Sequence, residues 1–251
     1  EIITRELASK VGQQYTRENA VKDYARLDKL DIFSEVVLIP KLENNGVVLE
    51  IAVQEIYPYL PFVTYEVTDE NGVSFGPGIQ SVSLLGRDIF LTGLARFGGA
   101  TTASFFLEDP WLAGNHLSYT LEANHRERDN QLDDFSETST EIFLKLGSYI
   151  GETGRIGVLL GHQTIASNTV GKTLSSSNKD IVGSVGFFVG HDTRDLWSDP
   201  HTGWWNQFDV KKVGGFLGFD SNFWQFNFDV RRYVPLVKRH TLALFSLLTL
   251  T

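Results

Sequence analysis

Between Phe223 and Leu236 the chain reads Phe-Trp-Gln-Phe-Asn-Phe-Asp-Val-Arg-Arg-Tyr-Val-Pro-Leu, and no other stretch restricts the possible folds as much. Successive side chains of a strand point to opposite faces. Trp224, Phe226, Phe228 and Val230 therefore share one face, and Gln225, Asn227, Asp229 and Arg231 the other. In a soluble sandwich or barrel the aromatic face turns inward; in a membrane barrel it turns outward to lipid, and the polar face lines a wet lumen. Periodicity alone leaves both open.

Composition narrows the classes. The 251 residues suffice for one large domain or two smaller ones, and there is no cysteine, so thiol redox chemistry and thiolate metal sites are excluded. A net charge of -9, without a basic cluster, argues against a nucleic-acid partner. No run approaches the 18 apolar residues of a transmembrane helix, a test that transmembrane strands escape because their faces alternate. The chain opens on Glu1 and holds no Met, which reads as a processed or trimmed chain without a signal peptide.

Residues 1–57 differ in texture from the rest. Thr16 is placed to cap a helix, and Ala20, Tyr24 and Leu27, with Val21 nearby, follow as an apolar stripe. The pattern predicts a short helix around 2–7, a helix over 17–30, and two strands, Phe33–Ile39, ended by Pro40, and Val47–Gln54. A hairpin turn at Glu43-Asn-Asn-Gly46 joins the strands. Two strands with two helices are marginal alone. The wording Ile3-x-Arg-Glu-Leu, Gly12 to Tyr15, Arg26-Leu-x-x-Leu-x-Ile-Phe-Ser-Glu-Val and Gly46-Val-Val-Leu-Glu-Ile resembles a POTRA repeat, the small α+β periplasmic module of outer-membrane assembly factors. That resemblance implies a first strand before Glu1. It also gives the strand carrying Val47, Val48, Leu49, Glu50 and Ile51 two readings, plain structure or an edge that binds extended clients.

From 58 to 251 the pattern is strands only, after a stiff connector at Tyr57-Pro-Tyr-Leu-Pro61. Eleven runs are expected, over 62–68, 73–85, 89–97, 101–109, 116–127, 138–149, 155–166, 181–193, 204–214, 223–234 and 241–251, joined as an up-and-down antiparallel sheet. Leu117, Tyr119, Leu121 and Ala123 oppose Ser118, Thr120, Glu122 and Asn124; Ile142, Leu144, Leu146 and Ile150 oppose Glu141, Lys145 and Tyr149. Trp204, Phe208 and Val210 likewise oppose Gln207, Asp209 and Lys211. Connectors are expected to alternate between tight turns (Gly86-Arg87, Pro110 to Asn115, Ile150 to Gly154, Pro235 to Lys238) and long polar loops (Arg128 to Glu137, Ser167 to Asp180), the asymmetry of outer-membrane barrels. An odd strand number fits a closed bacterial barrel poorly, because an open one leaves backbone groups unpaired in lipid.

Specific wording then points to a family. Val73-Ser-Phe-Gly-Pro-Gly-Ile-Gln with Leu84-Leu-Gly-Arg, Glu108-Asp-Pro-Trp-Leu-x-Gly114, Asp192-x-Arg-Asp195 with Pro200-x-x-Gly203, and Asp229-x-Arg-x-Tyr-x-Pro-Leu236 fall in the order of the BamA/TamA-type outer-membrane assembly factors, and the chain resembles that family over nearly its whole length. The resemblance implies a mainly β protein: a POTRA-like domain over 1–57 in the periplasm, then about the first eleven of sixteen strands of a transmembrane surface-antigen β-barrel over 58–251. The family's Arg-Gly-Phe/Tyr loop tip would follow Thr251.

The implied site is the first barrel strand, Phe62, Val63, Thr64, Tyr65, Glu66, Val67 and Thr68, whose seam with the last strand opens to take a client strand. Its other reading is an ordinary closed barrel strand. Trp224, Phe226 and Phe228 would face lipid, and Gln225, Asn227, Asp229 and Arg231 the lumen. The glycines at 93, 147, 157, 161, 186 and 190 would mark sheet curvature. His191, Asp192, Asp195, Asp199 and His201 read as a structured turn rather than a metal site, and the lumen carboxylates as ion pairs rather than an acid/base pair. No Gly-x-Ser-x-Gly elbow is present. The expected function is insertion or export of β-rich clients without enzyme chemistry, cofactor, metal or nucleotide. Expected partners are outer-membrane lipid, unfolded outer-membrane or secreted proteins, and periplasmic chaperones or accessory lipoproteins. The alternatives are a secretion pore for an attached or partner passenger, such as a patatin-like lipase, and a plain porin or soluble β-barrel binding module.

Overall fold

The structure, a computed structural model, describes residues 2–44, 46–112, 117–130, 132, 134–196, 199–237 and 240–251. It opens with α1 (Ile2–Glu6), α2 (Arg17–Lys29), β1 (Phe33–Glu43) and β2 (Gly46–Glu55). Thr16 caps α2, its side-chain oxygen accepting from the Asn19 N–H at 3.2 Å. β1 runs on past the expected stop at Pro40, which sits opposite Leu49. In a two-stranded sheet each strand has one side without a ladder, and a proline is tolerated there. Part of the hairpin turn, Asn45, lies outside the described residues.

The buried side of α2 matches the expected apolar stripe only in part. Asp23 and Leu27 are fully buried, whereas Val21 is 61% and Tyr24 45% exposed. The reason is polar: the Asp23 carboxylate accepts from the backbone N–H groups of Ala8 and Ser9, which pins the segment after α1 against that face. Leu27, Ile32 and Val36 form the small apolar core beside it.

Eleven strands follow: β3 (Tyr59–Thr68), β4 (Gly72–Ser81), β5 (Phe90–Gly98), β6 (Ala100–Leu112), β7 (Leu117–Asn130), β8 (Phe135–Ile150), β9 (Gly154–Ser167), β10 (Lys179–Asp192), β11 (Gly203–Gly214), β12 (Asn222–Val237) and β13 (His240–Leu250). They form one antiparallel sheet in strict chain order, as the strand-only pattern requires. Among the described residues the sheet is not closed: β3 pairs only with β4, and β13 only with β12. The connector after β2 is shorter than expected, because β3 already begins at Tyr59 and takes Pro61 into an edge strand.

Two chords show that the sheet is curled. Glu66 of β3 meets Arg126 of β7, and Lys145 of β8 donates to Gln207 of β11 at 3.1 Å. Strands lie about 4.8 Å apart along a sheet, so such contacts form only on a concave face. That face carries Glu122, Glu141, Asp209 and Lys211. It also carries Phe188, which is 1% exposed. Its ring lies where side chains at Gly147 and Gly157 would stand, with the Lys145 ammonium 4.0 Å from the ring centre. These two glycines therefore make room for an aromatic ring, beyond any part in curvature.

Connector length does not show the expected asymmetry. At the end bearing the 82–89, 151–153 and 193–202 connectors, two are eight and ten residues long. At the other end the expected long loop between β7 and β8 shrinks to 131–134, because both strands extend, while 168–178 stays long. The N-terminal unit sits at the former end. Arg5 pairs with Asp88 at 2.9 Å, and Arg26 with Glu152 at 2.7 Å. A cavity of about 1010 Å³ lies between this unit and the sheet, lined by Arg5, Arg26, Trp111, Tyr149, Arg155 and Arg194 among others.

Candidate functional site

Among the described residues β3 has no ladder on one side, and such a row of N–H and C=O groups can template another strand. Tyr59, Val63, Tyr65 and Val67 project from its convex side and are exposed, while Phe62, Thr64, Glu66 and Thr68 project from the concave side. Three of these concave residues, Phe62, Glu66 and Thr68, are tied to neighbouring parts of the sheet. Phe62 lies flat where a side chain on Gly78 of β4 would stand, and the Thr68 hydroxyl accepts from both the backbone and side-chain N–H of Asn71, closing the turn into β4.

Glu66 has the longest reach across the sheet. Its carboxylate lies 3.6 Å from Arg96 of β5 and 3.3 Å from Arg126 of β7. Arg126 also donates to its second oxygen at 3.5 Å. Beside it, Glu70 pairs with Arg128 of β7 at 3.5 Å, and Arg128 with Glu137 of β8 at 3.1 Å. Three carboxylates and three guanidiniums thus balance. The reach across strands is possible because the intervening concave positions are small: Ser74, Gly76, Gly98 and Thr102. Sequence reasoning picked out Glu66 but not Arg96, Arg126 or Arg128. The signal was present, since alternation places all three on the polar face and Glu66 needs a counter-charge.

Among the described residues the N-terminal β2 is likewise unpaired on one side. Leu49 and Ile51 are half-buried, while Val47, Val48 and Glu50 are exposed, with Glu50 paired to Lys41. On β12, Trp224, Phe226 and Phe228 lie on the convex face, where Phe228 packs on Phe208 at 4.7 Å between ring centres. Gln225, Asn227, Asp229 and Arg231 lie on the concave face. Gln225 donates to Asn227 at 3.2 Å, and Arg231 grips Asp229 with two bonds of 2.9 and 2.6 Å.

The acidic turn after β10 is occupied by its own backbone. Asp192 holds Arg194 at 3.0 and 2.9 Å. Asp195 accepts from the His201 and Thr202 N–H groups at 2.9 and 3.1 Å. Burial would raise the Asp195 pKa, but these backbone N–H donors outweigh it and hold the carboxyl below its ordinary range.

Residues 84–250 match the Omp85 superfamily domain. Among solved structures, the fold is similar to that of BamA from Haemophilus ducreyi lacking POTRA domains 1-3, with a TM-score of 0.65 and 14% identity over 99% of this chain and 52% of that one. It is also similar to CdiB from Acinetobacter baumannii, with a TM-score of 0.58 and 12% identity over 99% of this chain and 50% of that one. At such identities the likeness is one of fold, and the chain spans about half the length of each. No curated protein matches it.

Proposed function

The chain belongs to the Omp85 superfamily of outer-membrane β-barrels, and on that premise we propose that it inserts or exports β-rich client proteins in a Gram-negative outer membrane by strand templating at β3. The observation that carries this reading is the setting of β3, which among the described residues ladders only to β4, while its concave Glu66 and Thr68 are tied to β5, β7 and the turn into β4. A client strand gains a full ladder on that edge, and its convex neighbours Val63, Tyr65 and Val67 meet lipid. Client folding supplies the driving force, without cofactor, nucleotide or catalytic residue. Residues 1–57 act as a POTRA-like periplasmic domain at the barrel mouth, where β2 offers a second edge to clients, chaperones or accessory lipoproteins.

Photo-crosslinking tests this reading. A photoreactive residue at Val63 or Tyr65, in protein embedded in lipid vesicles and given an unfolded outer-membrane protein, should form client adducts; the same group at Phe187, on an interior strand, should not. Equal adducts at all three positions, or none on β3, would overturn strand templating. A second reading, a secretion pore for a passenger, is favoured by the hydrogen-bonded polar concave wall, where Lys145 donates to Gln207 and Gln207 donates to Asp209. Adducts confined to position 207 would support it instead.

A further inference from the structure

Strand addition at an edge needs that edge to stay in place while something pairs with it. An edge strand held only by its ladder to one neighbour frays, since local opening is easiest where few buried contacts cross. β3 has a second attachment, independent of its hydrogen bonds to β4. Glu66 reaches over the small concave residues of β4, β5 and β6 to guanidiniums two and four strands away. Its side chain is 25% exposed and those of Arg96 and Arg126 are 17% and 31% exposed, so water screens the cluster only in part. An ion pair in such a setting binds more firmly than one on an open surface.

Resting on the strand-templating reading, we propose that the Glu66–Arg96–Arg126 cluster is a positioning clasp that makes β3 the fixed side of the seam. The clasp spans β3, β5 and β7 from inside the curl, and leaves the outer backbone edge of β3 untouched. It therefore separates two requirements that otherwise conflict, an edge that is open to a partner strand and a strand that does not leave with it. Glu70, Arg128 and Glu137 continue the same attachment through the turn that ends β3 and out to β8. Removing one member leaves the others desolvated and unbalanced, which costs more than the pair itself contributes.

Hydrogen exchange on the membrane-embedded protein tests the clasp without any client. Glu66→Gln and Arg126→Gln should each speed exchange of the β3 amides bonded to β4 by about tenfold. The double variant should add little to either, because the two act through each other. Arg126→Lys, which keeps the charge, should restore most of the protection. Unchanged β3 exchange in the single variants, or fully additive effects, would overturn the clasp.

The same variants should also lose client adducts at Val63 several-fold; loss of β3 protection with undiminished adducts would refute its role in positioning. Failure of strand templating itself reads differently. In that case the unsubstituted protein forms no adducts at β3, while the exchange result stands.

Discussion

Trp224 and Phe228 share the convex face of β12 but not a depth. Trp224 is the third residue of a 16-residue strand, and the Lys212 ammonium lies 5.6 Å from its ring. A lysine at that level marks the polar boundary. Phe228, four residues further on, packs instead against the Phe208 ring. Phe228→Arg should therefore cost about 2–4 kcal/mol of folding in lipid and Trp224→Arg only about 0–1 kcal/mol. Urea titration of folding into vesicles checks this; equal costs would show that the convex face is not a graded lipid face. Gly147 offers a second test at this scale. A methyl there would stand 2.9 Å from the Phe188 ring and 3.0 Å from the Ser118 hydroxyl, so Gly147→Ala should cost about 1–3 kcal/mol. In a Phe188→Leu background it should cost much less, as paired unfolding curves would reveal. Alternation in the sequence was enough to sort β12 into its two faces. It could not show Phe188 on the concave side, because Phe187-Phe188-Val189 is apolar throughout and carries no phase.

The elements themselves were mostly legible, with errors where polar contacts decide. The helices and strands of the N-terminal unit fall near their expected places, since caps and turns are local. The buried face of α2 was only partly legible because Asp23 is recruited by the Ala8 and Ser9 amides, a contact between segments that helical periodicity does not encode. Docking of α1 on the sheet was not visible either. It rests on Arg5, which pairs with Asp88 at 2.9 Å and stacks on Trp111 at 4.6 Å. Burial pushes the Asp88 carboxyl up to about 7 against the pull of Arg5, with Glu6 of α1 and Asp109 and Glu108 of β6 pushing the same way. Once undocked, Asp88 returns toward its ordinary 3.8, so docking takes up a proton between those values. Docking should thus tighten as pH falls from about 7 toward 4, by roughly tenfold per unit at most. Protonation weakens the ion pair with Arg5, but relief from burying a charge outweighs that loss. Distances between spin labels on the exposed side of α2 and the 151–153 connector, followed against pH, measure this. Asp88→Asn should flatten the profile, and an unchanged profile in that variant would assign the dependence elsewhere.

At the level of the whole molecule, strand number and order could be read because a meander needs only local turns. Curl could not, since it is set by small concave residues and by chords such as Glu66 to Arg126 that join distant parts of the chain. Among the described residues the sheet has two edges, and these bear on how the 251-residue chain behaves. Backbone groups left unpaired in an apolar medium cost several kcal/mol each, and among the described residues β3 and β13 each present one unpaired side. β13 adds a second pressure. Its convex Leu244, Leu248 and Leu250 are matched on the concave side by Phe245 and Leu247, 81% and 71% exposed, so it is apolar on both faces. Further strands would satisfy both demands, and so would a second copy. The 251-residue chain in detergent should accordingly self-associate through β3 and β13, with a mass by light scattering that rises with protein concentration. Charge on an edge strand opposes such pairing, so Val63→Lys with Leu247→Lys should shift the distribution toward monomer. A monomeric unsubstituted chain at every concentration would mean that the two edges meet each other, closing the sheet into a smaller barrel.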